Sequence, residues 1–102
     1  MISLKVKKLK GVKEKTFGLI FEKSAIPVLI DTRFGIHTFG LKFPIDVLIL
    51  DKSNKIVKIS ECLKPNRIFI WNPKHNRVIE LPEDEIKKRK IKIGTTIATQ
   101  PH

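Results

Sequence analysis

The sequence predicts a mainly β fold, a single compact β-sandwich or barrel-like domain with one or two short helices. Several short segments are apolar at every second residue or apolar throughout, which is the pattern of strands with one or two buried faces. Turn-forming residues separate these segments. Strand and helix patterns do not alternate regularly along the chain, so the sequence does not indicate a parallel βαβ fold. Because 102 residues suffice for one core, we predict one domain over residues 1–102.

The first part of the chain contains two predicted strands with an ambiguous segment between them. Residues 2–6 alternate apolar and polar side chains, which predicts a strand with one face exposed to water. Val12 to Phe21 fits a short helix or a turn, although Gly18 weakens a helix. Ile26 to Ile30 is predicted to be a strand, and Pro27 suits either an edge strand or the first position of a strand.

The clearest strand is Ile45 to Leu50, whose largely apolar composition on both faces predicts a central position in the sheet. A turn should follow at residues 51–54, because Asp and Asn side chains bond to their own backbone there. Ile56 to Ile59 should then return antiparallel to the central strand and complete a hairpin. Before this hairpin, Gly35 and Gly40 allow sharp changes in chain direction.

A second hairpin is predicted from Ile68 to Trp71 and Arg77 to Leu81, because residues 72–76 between them are turn formers. Pro82 is expected near the start of a short helix. The first turn of this helix is acidic and its end is basic, an order that complements the helix dipole. A last strand is predicted over residues 90–98.

Composition indicates a folded chain that needs no disulfide. The hydrophobic fraction of 41% and the charged fraction of 30% are those of globular proteins. Apolar runs such as Val47 to Leu50 are far too short to span a membrane, and the first residues lack the apolar core of a signal peptide. The single cysteine, Cys62, excludes an internal disulfide and fits a reducing compartment, so we expect a cytoplasmic protein.

The formal net charge of +11 makes nucleic-acid binding an alternative function. Trp71 could stack on a base, although Phe69 and Trp71 fit the core equally well. The plain explanation of the charge is a surface rich in Lys and Glu, as in proteins from hot environments. The nucleic-acid alternative assigns binding to Lys7, Lys8, Lys10, Trp71, Arg77, Lys87, Lys88 and Arg89.

Several separated motifs stand in a fixed order along the chain: IHTFGLKFPIDVLILDKSNKIVKI, LKPNR, VIELP and IKIGTTI. These motifs resemble the domain of unknown function 192 (DUF192) family over about Phe17 to Ile97. The resemblance implies a compact β-rich fold, and it implies no established activity because the family is uncharacterised in function. The residues that carry the resemblance are His37, Thr38, Pro44, Ile45, Asp46, Asp51, Pro65, Glu80, Leu81, Pro82 and Gly94.

The chain also departs from the family pattern. Gly40 and Leu41 stand where the family usually has a bulky aromatic residue and a methionine. Glu83 stands where the family often has a glycine. A ligand pocket that relied on the aromatic side chain is therefore not implied for this chain.

Polar residues in the most apolar part of the chain define the candidate ligand site, which consists of His37, Thr38, Phe39 and Asp46. By strand alternation Asp46 shares a face with Leu48 and Leu50. If His37 lies across from it, the pair could orient an imidazole for general-base catalysis in a small hydrolase. The structural alternative is that Asp46 caps backbone amides of the turn at residues 40–44.

We therefore predict a non-enzymatic module that binds a small ligand or a protein partner, with no assigned catalytic residue. No metal and no cofactor are expected, because the histidines are scattered and no phosphate-binding or hydrolase motif occurs. Cys62 is expected to be a small buried hydrophobic residue. No membrane partner is expected. An edge strand that carries Pro27 is either protected from pairing or pairs with a second chain, which leaves a monomer or a small homo-oligomer open.

Overall fold

The computed structural model describes residues 1–9, 27–33 and 35–101. The predicted helix or turn over Val12 to Phe21 lies outside the described residues, as do Lys10 and Phe34. Within the described ranges the helix is α1 (Glu85–Lys88). The strands are β1 (Ile2–Leu9), β2 (Val28–Asp31), β3 (Gly35–His37), β4 (Ile45–Leu50), β5 (Ile56–Leu63), β6 (Ile68–Ile70), β7 (Arg77–Pro82) and β8 (Ile97–Pro101).

Six strands form one curled sheet in the order β5-β4-β7-β2-β1-β8. Strand β1 runs parallel to β2 and β8, and the other neighbours are antiparallel. The two ends of this order meet where Lys55 and Thr96 form a bridge and the Ile97 amide donates to the Asn54 carbonyl at 2.9 Å. The predicted mainly β, barrel-like fold with a short helix is therefore confirmed.

The sheet has a separate apolar cluster on each face. The concave cluster contains Leu48, Leu50 and residues from the other five strands, and Ile86 of α1 packs against it. The outer cluster contains Ile45, Val47 and Ile49, because successive residues of β4 point to opposite faces. A two-stranded ribbon formed by β3 and β6 covers the outer cluster. All six residues of β4 are buried, which confirms the predicted central strand.

Gly35 allows the two ribbon strands to approach each other closely. A Cβ atom at this position would lie 2.7 Å from the carbonyl oxygen of Phe69 and 3.0 Å from Cγ2 of Ile70. Any larger residue would therefore push β6 away from β3.

The hairpin of β4 and β5 is confirmed, but the predicted second hairpin is wrong in its pairing. Both segments are strands, yet β6 pairs with β3, while β7 lies between β2 and β4. Strand β7 is buried on both faces at residues 78–81, so it needs a neighbour at each edge. Residues 72–76 reverse the chain as predicted, and the reversal carries it from the ribbon into the sheet.

Two prolines and the last strand also differ from expectation. Pro27 directly precedes β2, which lies inside the sheet, so the edge-strand alternative is wrong. Pro82 ends β7, and α1 begins three residues later at Glu85. The last strand begins only at Ile97, because Gly94, with φ at +94°, lies in a turn that bonds to Ile56.

Within the described ranges, the structure contains no helix with the length and apolar character required to cross a membrane.

Candidate functional site

Asp46 is fully buried on β4 and accepts two backbone hydrogen bonds. Oδ1 accepts from the amide of Cys62 at 2.9 Å, and Oδ2 accepts from the amide of Ile86 at 2.9 Å. The β4–β5 register shifts between Ile45 and Val47, and this irregularity leaves the amide of Cys62 for a side-chain acceptor. Asp46 therefore fixes the end of β5 and the start of α1, two segments distant in sequence.

The predicted capping role of Asp46 thus applies to other amides than those of residues 40–44. Its predicted position on one face with Leu48 and Leu50 is what the structure shows, since both belong to the concave cluster. The carboxylate oxygens accept hydrogen bonds from backbone amides of β5 and α1, so they hold these two segments in place next to β4.

The structure does not bring His37 and Asp46 together. His37 lies on β3, opposite Ile68 of β6, in the ribbon that covers the outer cluster. Asp46 points to the concave face, on the other side of the sheet. Nδ1 of His37 accepts a hydrogen bond from the amide of Phe39 at 3.2 Å. The arrangement of a carboxylate that orients an imidazole, which the hydrolase alternative requires, is not formed by this pair.

Thr38 is buried and ties the ribbon to the turn before β6. Its Oγ1 donates to the carbonyl of Lys64 at 2.6 Å and accepts from the amide of Arg67 at 2.9 Å. The amide of Thr38 donates in turn to the carbonyl of Arg67 at 2.9 Å. The Thr38 hydroxyl thus has both a hydrogen-bond donor and an acceptor within the chain. These contacts account for a buried threonine at this position through a structural role.

The outer face of the β3–β6 ribbon presents large apolar side chains to water. Ile68 is 68% exposed, Ile70 is 65% exposed and Phe39, just beyond β3, is 51% exposed. Ile68 pairs with His37, whose ring centroid lies 4.9 Å from that of Phe39. We call these four residues the outer ribbon face. Of the predicted ligand residues, His37 and Phe39 thus lie together at the surface.

The residues of the nucleic-acid alternative are spread over several elements. Lys7 and Lys8 are exposed on β1, Lys87 and Lys88 are exposed on α1, and Arg89 follows them. Arg77 is half-buried at the start of β7, and Lys10 lies outside the described residues.

Trp71 belongs to the outer cluster and is 7% exposed. Its indole N–H donates to the carbonyl of His75 at 2.7 Å, and its ring centroid lies 5.9 Å from that of Phe69. Both rings therefore serve the core, which was one of the two interpretations of their alternation. Stacking on a base would require the Trp71 face to leave this packing.

Glu80 is a buried carboxyl group that the sequence reasoning did not assign to a site. It lies on β7 between Val28 of β2 and Val47 of β4, and its Oε1 has no hydrogen-bond partner among the residues that the structure describes. Loss of hydration raises the pKa of Glu80 to about 8. The feature of the sequence that could have indicated this buried carboxyl group is the glutamate inside the apolar segment VIELP.

Cys62 is exposed, so its predicted burial is wrong. Its backbone has φ at +53° in the irregular part of β5, and the thiol donates to Oδ1 of Asp84 at 3.6 Å. Local desolvation, a hydrogen bond with Glu83 and nearby carboxylates raise the pKa of Cys62 to about 11. Ligand atoms of these three residues lie within 4.8 Å of one another, but exposed carboxylates are commonly this close without a metal, and we assign no site to them.

The fold and these contacts define a small, barrel-like β domain with a covering ribbon, whose buried polar groups mainly fix loops. The chain belongs to the DUF192 family, described as "Uncharacterized ACR, COG1430", which matches residues 4–99. Among proteins with curated descriptions, none matches this sequence.

Two solved structures share the fold. A protein of unknown function from Novosphingobium aromaticivorans DSM 12444 superposes with a TM-score of 0.71 at 13% identity, covering 87% of this chain and 70% of that chain. A protein described as a "putative transcription regulator" from Sinorhizobium meliloti 1021 superposes with a TM-score of 0.69 at 18% identity, covering 87% and 76%. At these identities the similarity establishes the fold alone.

Proposed function

We propose that this chain is a non-enzymatic binding module whose contact surface is the outer ribbon face. The observation that carries the proposal is the joint exposure of Phe39, Ile68 and Ile70 on one small ribbon. Neighbouring apolar side chains that remain in water typically mark a site of protein association. This proposal retains His37 and Phe39 of the predicted site and gives Thr38 and Asp46 supporting structural roles.

The charge around the ribbon indicates the chemistry of the partner. Residues 32–45 and 62–79 contain no acidic residue, and they include Arg33, Lys42, Lys64 and Arg67. Lys58 also reaches the ribbon, since its Nζ donates to the carbonyl of Ile70 at 2.8 Å. A second copy of a chain with a net charge of +11 would be repelled. The partner we propose is therefore a protein segment that combines apolar and acidic side chains.

A displayed library of random peptides tests this assignment. Selection on the wild-type protein should enrich peptides that contain both apolar residues and Asp or Glu. The double variant Ile68→Thr/Ile70→Thr keeps β-branched residues but loses apolar surface, so the dissociation constant of an enriched peptide should rise by about tenfold or more. Ile93→Thr is the matched control, because Ile93 is 64% exposed outside the ribbon.

Three results would contradict the proposal. Equal binding of the enriched peptides to the double variant and to the wild type would show that charge alone drives selection. A loss of binding in the Ile93→Thr control as large as that in the double variant would show that the ribbon is not the contact surface. A wild-type dimer in sedimentation that the double variant dissociates would assign the outer ribbon face to a second copy of the chain.

Nucleic-acid binding is the second candidate, favoured by the exposed lysines of β1 and α1. Binding to random oligonucleotides should then weaken by orders of magnitude between about 50 and 200 mM salt. The reason is that lysines displace counterions from the phosphates when they bind, and added salt opposes this release. Replacing Lys87 and Lys88 with glutamine should weaken binding more than the same charge loss at Lys42 and Lys64. Negligible binding at low salt, or equal effects of the two pairs, would exclude this use of α1.

A further inference from the structure

Three loops meet at the end of the sheet where β4 stops. The pairs Leu50–Arg77 and Asp31–Arg77 place the ends of β4 and β2 on either side of the start of β7. The loops that continue from these strand ends therefore converge. They border an open cleft of about 530 Å³, a volume within the range of small-molecule sites. The described residues that line it are Arg33, Asp51, Lys52, Ser53, Lys74 and His75.

The cleft carries an excess of positive charge. Among the described residues, Arg33, Lys52 and Lys74 form no ion pair with a carboxylate. The carboxylate of Asp51 is occupied within its own turn, where Oδ1 accepts from the amides of Ser53 at 2.8 Å and Lys55 at 2.9 Å. These bonds, the one from Lys55 foremost, lower the pKa of Asp51 and keep it ionised. The cleft is thus lined by three cationic side chains that have no carboxylate partner among the described residues, and by one carboxylate that already accepts two backbone hydrogen bonds.

Hydrogen bonds hold the loops that carry these cations. Oδ1 of Asn72 accepts from the amide of Lys74 at 3.0 Å, and the carbonyl of Asn72 accepts from the amide of His75 at 3.0 Å. The amide of Thr32, next to Arg33, donates to the carbonyl of Asn76 at 3.0 Å. Because the backbone is already arranged, a ligand needs to order only the ends of the side chains.

A smaller hollow of about 150 Å³ adjoins the cleft, and His75 lines both. The hollow is lined mainly by Ile49, Val57 and Trp71, and Lys58 and Asn72 also line it. An apolar space beside a cationic cleft fits a molecule with an organic part and a multiply charged anionic part.

We propose that this end of the sheet binds a phosphorylated small molecule. The phosphate occupies the cationic cleft and bonds to Arg33, Lys52 and Lys74, and the organic part occupies the hollow beside Trp71. Three cations match the two or more negative charges of a phosphate better than the single charge of a carboxylate, and the guanidinium adds bidentate hydrogen bonding. This site is independent of the outer ribbon face.

The chain contains one tryptophan, so the fluorescence of Trp71 reports on the hollow directly. Titrations with inorganic pyrophosphate and with adenosine diphosphate, followed by calorimetry and by fluorescence, test the two parts of the site. Both probes should bind the wild type. Adenosine diphosphate should bind more tightly and should also change the Trp71 emission.

The triple variant Arg33→Gln/Lys52→Gln/Lys74→Gln should weaken both probes by about tenfold or more. The control Lys64→Gln/Lys87→Gln/Lys88→Gln removes three positive charges at the opposite end of β4, where Ile45 pairs with Leu63 and the Ile86 amide of α1 donates to Asp46. The two sets of charges lie roughly 20 Å apart, about the length of a six-residue strand, so the control should change affinity by less than about twofold.

Several outcomes would overturn this inference. Equal losses in the two triple variants would mean that the overall charge, and not the cleft, binds phosphate. Absence of binding by either probe at about millimolar concentration would remove the site. An unchanged Trp71 emission with adenosine diphosphate would remove the organic part from the hollow. An oligonucleotide that binds more tightly with increasing length, with the same loss in the cleft variant, would assign the phosphate to a nucleic-acid backbone.

Discussion

Replacing Asp46 with alanine should lower the free energy of unfolding by about 3 to 5 kcal/mol. The carboxylate is fully buried, and the substitution leaves the amides of Cys62 and Ile86 without an acceptor. Hydrogen bonds to a carboxylate are among the stronger ones in proteins, and a buried donor that loses its partner retains the cost of its desolvation. Urea denaturation followed by fluorescence measures the change.

Asp51→Ala is the matched control for this prediction. Asp51 also accepts two backbone amides, those of Ser53 and Lys55, but it does so in a turn that water reaches. Water can replace the lost acceptor there, so the loss of stability should be clearly smaller. Equal losses in the two variants would show that burial of Asp46 between β5 and α1 does not determine its contribution.

Glu80 should make the protein less stable as the pH rises from about 4.5 to about 8. Its pKa is about 8 in the folded chain against an ordinary value of 4.5, so within this window the folded state holds a proton that the unfolded state has released. Stability attributable to Glu80 is complete below pH 4.5 and is lost as the pH rises through 8. The pKa difference corresponds to a loss on the order of 5 kcal/mol.

The variant Glu80→Gln isolates this contribution, because glutamine is similar in shape and does not titrate. The stability of the variant relative to wild type should increase across the window by a few kcal/mol. Urea denaturation at a series of pH values gives the difference, in which the other titrating groups cancel. Glu61→Gln serves as control, since Glu61 is exposed on β5. A difference between Glu80→Gln and wild type that stays constant with pH would disprove the prediction.

Local sequence patterns correctly predicted the first strand, the central strand and the turn that follows it. The alternation over residues 2–6, the apolar run from Ile45 to Leu50 and the turn at residues 51–54 all have their predicted form. The side of β4 to which Asp46 points also followed from the two-residue period of a strand. The family motifs were read from the same residues, and residues 4–99 match that family.

Pairing between distant segments was not predictable in the same way. The turn at residues 72–76 indicated a hairpin, but a turn reports only that the chain reverses and not which strand becomes the neighbour. Strand β6 joined the ribbon with β3, and β7 joined β2 and β4. The partners of Asp46 lie 16 and 40 residues away in sequence, beyond the reach of a local pattern.

The candidate sites divide in the same manner. The sequence indicated that His37 and Asp46, as polar residues in an apolar segment, have a structural or chemical role. It did not indicate how far apart the two side chains lie. The structure places them on opposite sides of the sheet and brings Phe39 beside Ile68 and Ile70 at the surface. It also brings Arg33, Lys52 and Lys74 into one cleft from three loops that share no motif.

By itself, the sequence determined the fold class, the buried central strand, the family and the burial of a carboxylate at Asp46. Each of these depends on which residues are apolar, on the period at which they recur, or on motifs along the chain. The tertiary structure alone decided the strand pairing, the two amides that Asp46 binds, the outer ribbon face and the cationic cleft. Each of these depends on distances between residues far apart in the chain, and such distances are set by how the strands pair and how the sheet curls.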